Sequence, residues 1–291
     1  MTTVTAFIKR RAVLTYFVLA FVLSWGSALI VVGPGIFLGT TNLSEELTPV
    51  LYLAALLGST LVGPSLSGLL MTGLVYGRAG LRSFLARLFC WRVDVRWYAV
   101  ALLTAPLAML AVNLALSLTS PAYLPGILTA DDKVSLLLAG LIAGLLIGSF
   151  EELGWTGFAI PELRRRYGIL TTGLIVGVVW GAWHYPAFSA SGSSSGAIMH
   201  AFTVAVLLFS FLPPYRVLMV WVYDRTQSLL VAMLMHVSLT ASTLIFQSQA
   251  VEATAVTSDL VLAAVLWLFV AAVALINHGQ IARPPLRGQM A

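Results

Sequence analysis

Two adjacent carboxylates, Glu151 and Glu152, follow directly on a long apolar run in the stretch SFEELGWTGF. Two histidines, His184 in WGAWHYPAF and His236 in MLMHVSLTAS, lie in later apolar stretches, and Thr240 follows His236 by one helical turn. Carboxylates and imidazoles in apolar surroundings are the side chains that move protons, and a carboxylate in a low-dielectric cavity can take one from water. The same groups also bind zinc, since one carboxylate and two imidazoles leave a fourth position open for water, with Glu151 and Glu152 dividing into ligand and base. HExxH is absent and ligands this far apart give no spacing test, so both chemistries stay open on the residues alone.

The composition says what must position them. Of 291 residues 59% are hydrophobic and 9% charged, with mean hydropathy +0.96, where a soluble domain carries about a quarter charged residues. A polytopic membrane protein follows. Eight apolar runs are long enough to cross the bilayer as helices: Val13 to Val32, Val50 to Val75, Trp97 to Leu118, Val134 to about Leu163, Ile169 to Trp183, Ile198 to Trp221, Ser228 to Phe246 and Leu260 to Ile276. Their continuity, without period-two alternation, predicts an all-α helical bundle rather than a barrel. The chain reads as a single integral membrane domain over residues 1–291, with residues 134–246 as its motif-bearing core, in the plasma membrane.

With both termini cytoplasmic, fifteen of the sixteen basic residues, Arg216 among them, fall on one side and only Lys133 on the other. The opposite loops carry Glu45, Glu46, Asp131, Asp132, Glu252 and Asp259. The net charge of +5 is then a basic collar facing anionic lipid, not a nucleic-acid surface. The first span exceeds the apolar region of a signal peptide and shows no persuasive cleavage site, so it reads as uncleaved. A single cysteine, Cys90, cannot form an internal disulfide.

If Tyr167 and Gly168 form the turn of a helical hairpin, Glu151 and His184 each lie sixteen residues from it, roughly 24 Å along their helices. His236 lies roughly 15 Å into the seventh span. Three polar groups from three helices can therefore meet within the membrane, with Pro161 kinking the fourth helix nearby.

The segments EELGWTGFAIPEL, WGAWHYPAF and MLMHVSLTAS resemble the three motifs, EExxxR, FxxxH and HxxxN, of the CPBP family, the CAAX prenyl proteases and bacteriocin-processing enzymes also called Abi. The resemblance implies an intramembrane endopeptidase whose first glutamate, here Glu151, activates water. It further implies that His184 holds that water, that His236 and Thr240 face the oxyanion, and that Glu152 supports the site from behind. Such an enzyme requires no cofactor in the glutamate version and zinc on Glu151, Glu152, His184 and His236 in the metal version. Its partner is a membrane-associated protein or peptide substrate, CAAX-type in the best-known members. Three positions depart from the motifs: Thr156 stands for Arg, Trp180 for Phe and Thr240 for Asn. Trp180 should still supply a large apolar wall, whereas Thr156 offers a hydroxyl in place of a cation beside Glu152.

Other classes of function remain. Intramembrane acids and histidines also build proton-coupled transporters, although no doubled pattern of broken helices is seen. The exchanges at Thr156 and Thr240 also suit a non-catalytic membrane partner or immunity protein. GSSSG, Gly192 to Gly196, matches G-x-S-x-G but lacks a strand-turn-helix setting and reads as an outer loop. His200 and His278 read as interfacial, and substrate access is expected from the cytoplasmic leaflet.

Overall fold

The computed structural model describes residues 3–38, 62–189, 197–247 and 252–277. Glu45, Glu46, the first part of the Val50 to Val75 run, the GSSSG loop, His278 and the C-terminal arginines lie outside them. All the regular secondary structure among the described residues is helical, with no strand. The principal helices are α1 (Ala12–Val31), α2 (Gly63–Leu88), α3 (Val95–Ser117), α4 (Lys133–Gly154), α5 (Ile169–Trp183), α6 (Ala197–Phe209), α7 (Leu212–Thr226), α8 (Leu229–Phe246) and α9 (Glu252–Ile276).

Six helical stretches among the described residues are long and apolar enough to cross a bilayer, so this is an integral membrane protein. They correspond to six of the eight expected runs. Of the other two, α5 has only fifteen residues, and the described part of Val50 to Val75 opens α2, which continues into the arginine-bearing stretch up to Arg87. The expected sixth span is not one helix: the chain breaks at Ser210 and Phe211, where Pro213 and Pro214 can open α7 without losing hydrogen bonds.

Helix α4 shows how an apolar sequence orients itself without a polar face. Leu137, Leu138, Leu141, Ile142, Leu145 and Leu146 point outward, while Gly140, Gly144 and Gly148 are buried against α8. Lipid tails are as apolar as leucine, so close backbone packing, not hydrophobicity, selects the inner face. A Cβ on Gly148 would sit 2.5 Å from the Val237 nitrogen and 2.9 Å from the His236 carbonyl carbon. A second row, Gly173, Gly177 and Gly181, brings α5 equally close to Val217, Pro213 and Leu208. These two rows set the spacing of the helices that carry Glu151, His184, Arg216 and His236. Gly148→Ala is accordingly expected to cost about 1–3 kcal/mol by overpacking against backbone that has no rotamer to yield, read as a lowered unfolding midpoint in detergent.

The chain after α4 turns through a five-residue π-helical segment, Trp155–Ala159, into a short helix, Ile160–Arg164. Pro161 has no N–H to offer the Gly157 carbonyl one turn back. Arg87 fills that place, its Nη2 donating to the Gly157 oxygen at 3.1 Å, while its Nη1 donates to the Tyr223 hydroxyl at 2.6 Å. Arg164 pairs with Asp224 at 2.7 Å and so ties this end of the α4 segment to the end of α7. Part of the predicted collar is thus a set of interhelical clamps.

Candidate active site

Glu151 and Glu152 occupy the last turn of α4, and both are 0% exposed. Successive helical residues point about 100° apart, so the two carboxylates meet different partners. Glu151 Oε2 accepts a hydrogen bond from Trp180 Nε1 at 2.7 Å. Its other oxygen, Oε1, is buried with no hydrogen bond among the described residues and lies 3.8 Å from His184 Nε2.

His184 caps the C-terminus of α5, and its Nδ1 is 2.8 Å from the Trp180 carbonyl oxygen. A carbonyl only accepts, so Nδ1 carries the hydrogen, and in the neutral ring Nε2 presents a lone pair toward Glu151. The gap of 3.8 Å exceeds a direct hydrogen bond and approaches the roughly 4.4 Å that separates two acceptors of a single water molecule. Glu151 and His184, level by the hairpin argument, do meet.

Glu152 is fully engaged. Oε1 accepts from Arg216 Nη1 at 2.7 Å and from His236 Nδ1 at 2.8 Å, and Oε2 accepts from the Thr156 hydroxyl. Arg216 does not belong to the basic collar expected for it: its side chain is 0% exposed, and its guanidinium stacks 4.0 Å from the Trp180 ring centroid. The reason is electrostatic, because a buried Glu152 needs a cation and position 156 supplies only a hydroxyl. The signal was present in the sequence, since Arg216 lies five residues inside the end of an apolar run, where an ionisable residue marks a site by default.

Trp180 is more than a wall. Besides holding Glu151 and stacking on Arg216, its ring meets those of His184 and His236 edge-on, with centroids 5.2 and 5.0 Å apart. His236 is itself steadied from below, as the Tyr215 hydroxyl donates to the neighbouring Met235 carbonyl at 2.8 Å. Glu151, Glu152, Thr156, Trp180, His184, Arg216 and His236 thus form one buried cluster. Thr240 lies one turn further along α8, half-buried.

These residues do not fit a zinc site as arranged. Both oxygens of Glu152 and the Nδ1 of His236 are committed to each other and to Arg216 and Thr156. Among the described residues no three His, Cys, Asp or Glu side chains converge as a metal-ligand group.

Residues 133–242, which contain this cluster, match the family model described as type II CAAX prenyl endopeptidase Rce1-like. That segment, little over a third of the chain, is similar to the Rce1-like, CPBP family. The chain is also similar to CAAX prenyl protease 2 of Methanococcus maripaludis, 24% identical over 163 residues. That match spans 53% of this chain and 59% of the relative's length.

The departures at 156 and 180 from the motifs that this segment resembles are structurally paired. Arg216, from α7, delivers to Glu152 the charge that the family motif places four residues further along the chain, at position 156 in the π-helical segment. Trp180, unlike the motif's phenylalanine, donates a hydrogen bond to Glu151. Hydrogen bonds to charged groups contribute about 1.5–3 kcal/mol. Trp180→Phe is therefore expected to lower turnover by about tenfold by loosening Glu151, checked by steady-state kinetics on a cleaved peptide.

Proposed function

We propose that the protein is an intramembrane endopeptidase that hydrolyses a peptide bond of a membrane-associated protein or peptide, with Glu151 as the base. The observation that carries this reading is the unbonded Glu151 Oε1 facing His184 Nε2 across 3.8 Å. A water between them donates one hydrogen to each, leaving its lone pairs for a substrate carbonyl. Glu151 takes the proton as water attacks, then returns it to the departing amide nitrogen.

His236 and Thr240 face the oxyanion in this scheme. In this scheme His236 acts in its imidazolium form. With Nδ1–H held by Glu152, the protonated ring directs Nε2–H at the tetrahedral oxygen, the kind of preorganised donor that stabilises such intermediates. No step requires a metal, in keeping with the commitments of Glu152 and His236.

His184 is the least buried member of the cluster, its side chain 15% exposed, at the end of α5 far from the Tyr167–Gly168 turn. Access in our reading runs from that end of the bundle, opposite to the cytoplasmic-leaflet path expected above. The plasma membrane is the proposed location.

The test is cleavage of a peptide library by the purified protein and by Glu151→Ala, each with and without a zinc chelator. Cleavage that disappears in Glu151→Ala and persists with chelator supports the scheme. Chelator-sensitive cleavage would replace it with a metal mechanism. A folded preparation that cleaves nothing would make the chain a non-catalytic membrane partner.

A further inference from the structure

Helix α9 carries an ionisable residue that the catalytic scheme does not use. The reading of the sequence put Asp259 in an outer loop, yet it lies on α9, inside the apolar stretch Thr254–Ile276. Its backbone carbonyl accepts a long hydrogen bond from the Ser210 hydroxyl at 3.5 Å. Its carboxylate has no hydrogen bond or ion pair among the described residues. An acid within an apolar span is costly, and its persistence without a protein partner calls for a partner from outside.

Asp259 faces a space that could admit one. It lines a cavity of about 80 Å³, partly open to the exterior, walled by Met109, Val112, Phe211 and Leu262 among others. Asp259 is the only charged residue in that lining among the described residues. Of its polar neighbours Asn113, Thr243, Gln247 and Ser258, two are engaged elsewhere: Asn113 Nδ2 donates to the Phe246 carbonyl at 2.8 Å, and the Thr243 hydroxyl donates to the Leu239 carbonyl at 3.0 Å.

Two lining residues relate the cavity to the candidate site. Phe188 lines it, and the Phe188 ring packs against that of His184, centroids 5.8 Å apart. Thr243 lines it too, seven residues beyond His236 on the same face of α8, a rise of roughly 10 Å. An extended peptide advances about 3.3 Å per residue, so the cavity stands about three residues from a bond cut beside His236.

We infer that this cavity is a substrate subsite for a lysine or arginine side chain, whose apolar stem lies along Met109, Val112 and Leu262 and whose charged head pairs with Asp259. Apolar walls with one terminal carboxylate match a side chain that buries its methylenes and keeps a cation at its tip. The inference rests on the protease reading for its substrate class, but the subsite is a binding claim with a readout of its own.

The experiment uses synthetic peptides that carry Lys, Arg, norleucine or Glu at each position in turn, with cleavage by the full chain followed by mass spectrometry. At one position about three residues from the cut, Lys and Arg are expected to be cleaved about tenfold faster than norleucine, with Glu slowest. In Asp259→Asn that ratio is expected to fall to about one or two, and Asp259→Lys is expected to reverse it toward Glu. Retention of the same peptides on immobilised Glu151→Gln protein measures the preference without cleavage. A basic preference in retention with no cleavage by any form would sink the protease reading and leave the subsite standing. A ratio near one in the unmodified protein, by cleavage or by retention, would overturn the subsite. So would a basic preference unchanged in both Asp259 variants.

Discussion

Glu151→Gln is expected to lower turnover by about a thousandfold, within the range by which general bases act, while the protein folds normally and its KM moves by no more than about threefold. The amide still accepts from Trp180 Nε1 and fills the same volume, but it cannot take a proton from water. Because Glu151 Oε1 has no hydrogen bond to lose among the described residues, the substitution is expected to cost little in packing. Glu152→Gln, one residue away and chemically identical, should fail in another manner. It leaves Arg216 buried without a counterion and weakens the hold on His236, at an expected cost of about 3–5 kcal/mol in stability. Kinetics on a cleaved peptide, together with unfolding midpoints in detergent, separate the two. Equal losses of turnover and stability in both variants would show that the pair does not divide its work as described.

Arg216→Met should destabilise the protein by about 3–5 kcal/mol, since it strands Glu152 as an uncompensated buried carboxylate. The more telling variant restores the family's arginine. Thr156→Arg in the unaltered protein adds a second buried cation and overfills a fully enclosed position, so it too should destabilise. In the Arg216→Met background the same change supplies the missing charge one turn from Glu152, and stability should recover by at least about 2 kcal/mol relative to Arg216→Met alone. A harmful substitution thus becomes a rescuing one. Additive losses in the double-mutant cycle would show that positions 156 and 216 do not serve a common need.

Much of this architecture was legible before any coordinates. Apolar runs marked six of the crossings, and counting residues from Tyr167 and Gly168 brought Glu151 and His184 to one level, where the structure leaves 3.8 Å between them. Both acids and both histidines were visible as polar residues in apolar sequence. What escaped the sequence was the destination of individual charges. Arg216 and Asp259 were assigned by their distance from the ends of apolar runs, which fits residues whose surroundings are lipid and water. Arg216 is placed instead by Glu152, on a helix 64 positions away in the chain, and no local pattern encodes such a partnership. Trp180 was underestimated for a related reason: hydropathy treats indole and phenyl rings alike, and the indole N–H matters only when an acceptor from another helix stands in front of it.

The distance in sequence between Glu152 and its cation also has a meaning in time. An arginine at position 156 would leave the ribosome within a second of the glutamate and enter the bilayer on the same helix. Arg216 comes 64 residues later and His236 84 residues later, delays of roughly 3 to 17 seconds at ordinary rates of chain elongation. During that interval Glu152 has no counterion of its own, and a carboxylic acid entering an apolar phase alone keeps its proton. The ionic pairing of Glu152 is therefore completed only when α7 and α8 arrive, so the cluster is assembled late in synthesis rather than with the helix that carries its acids.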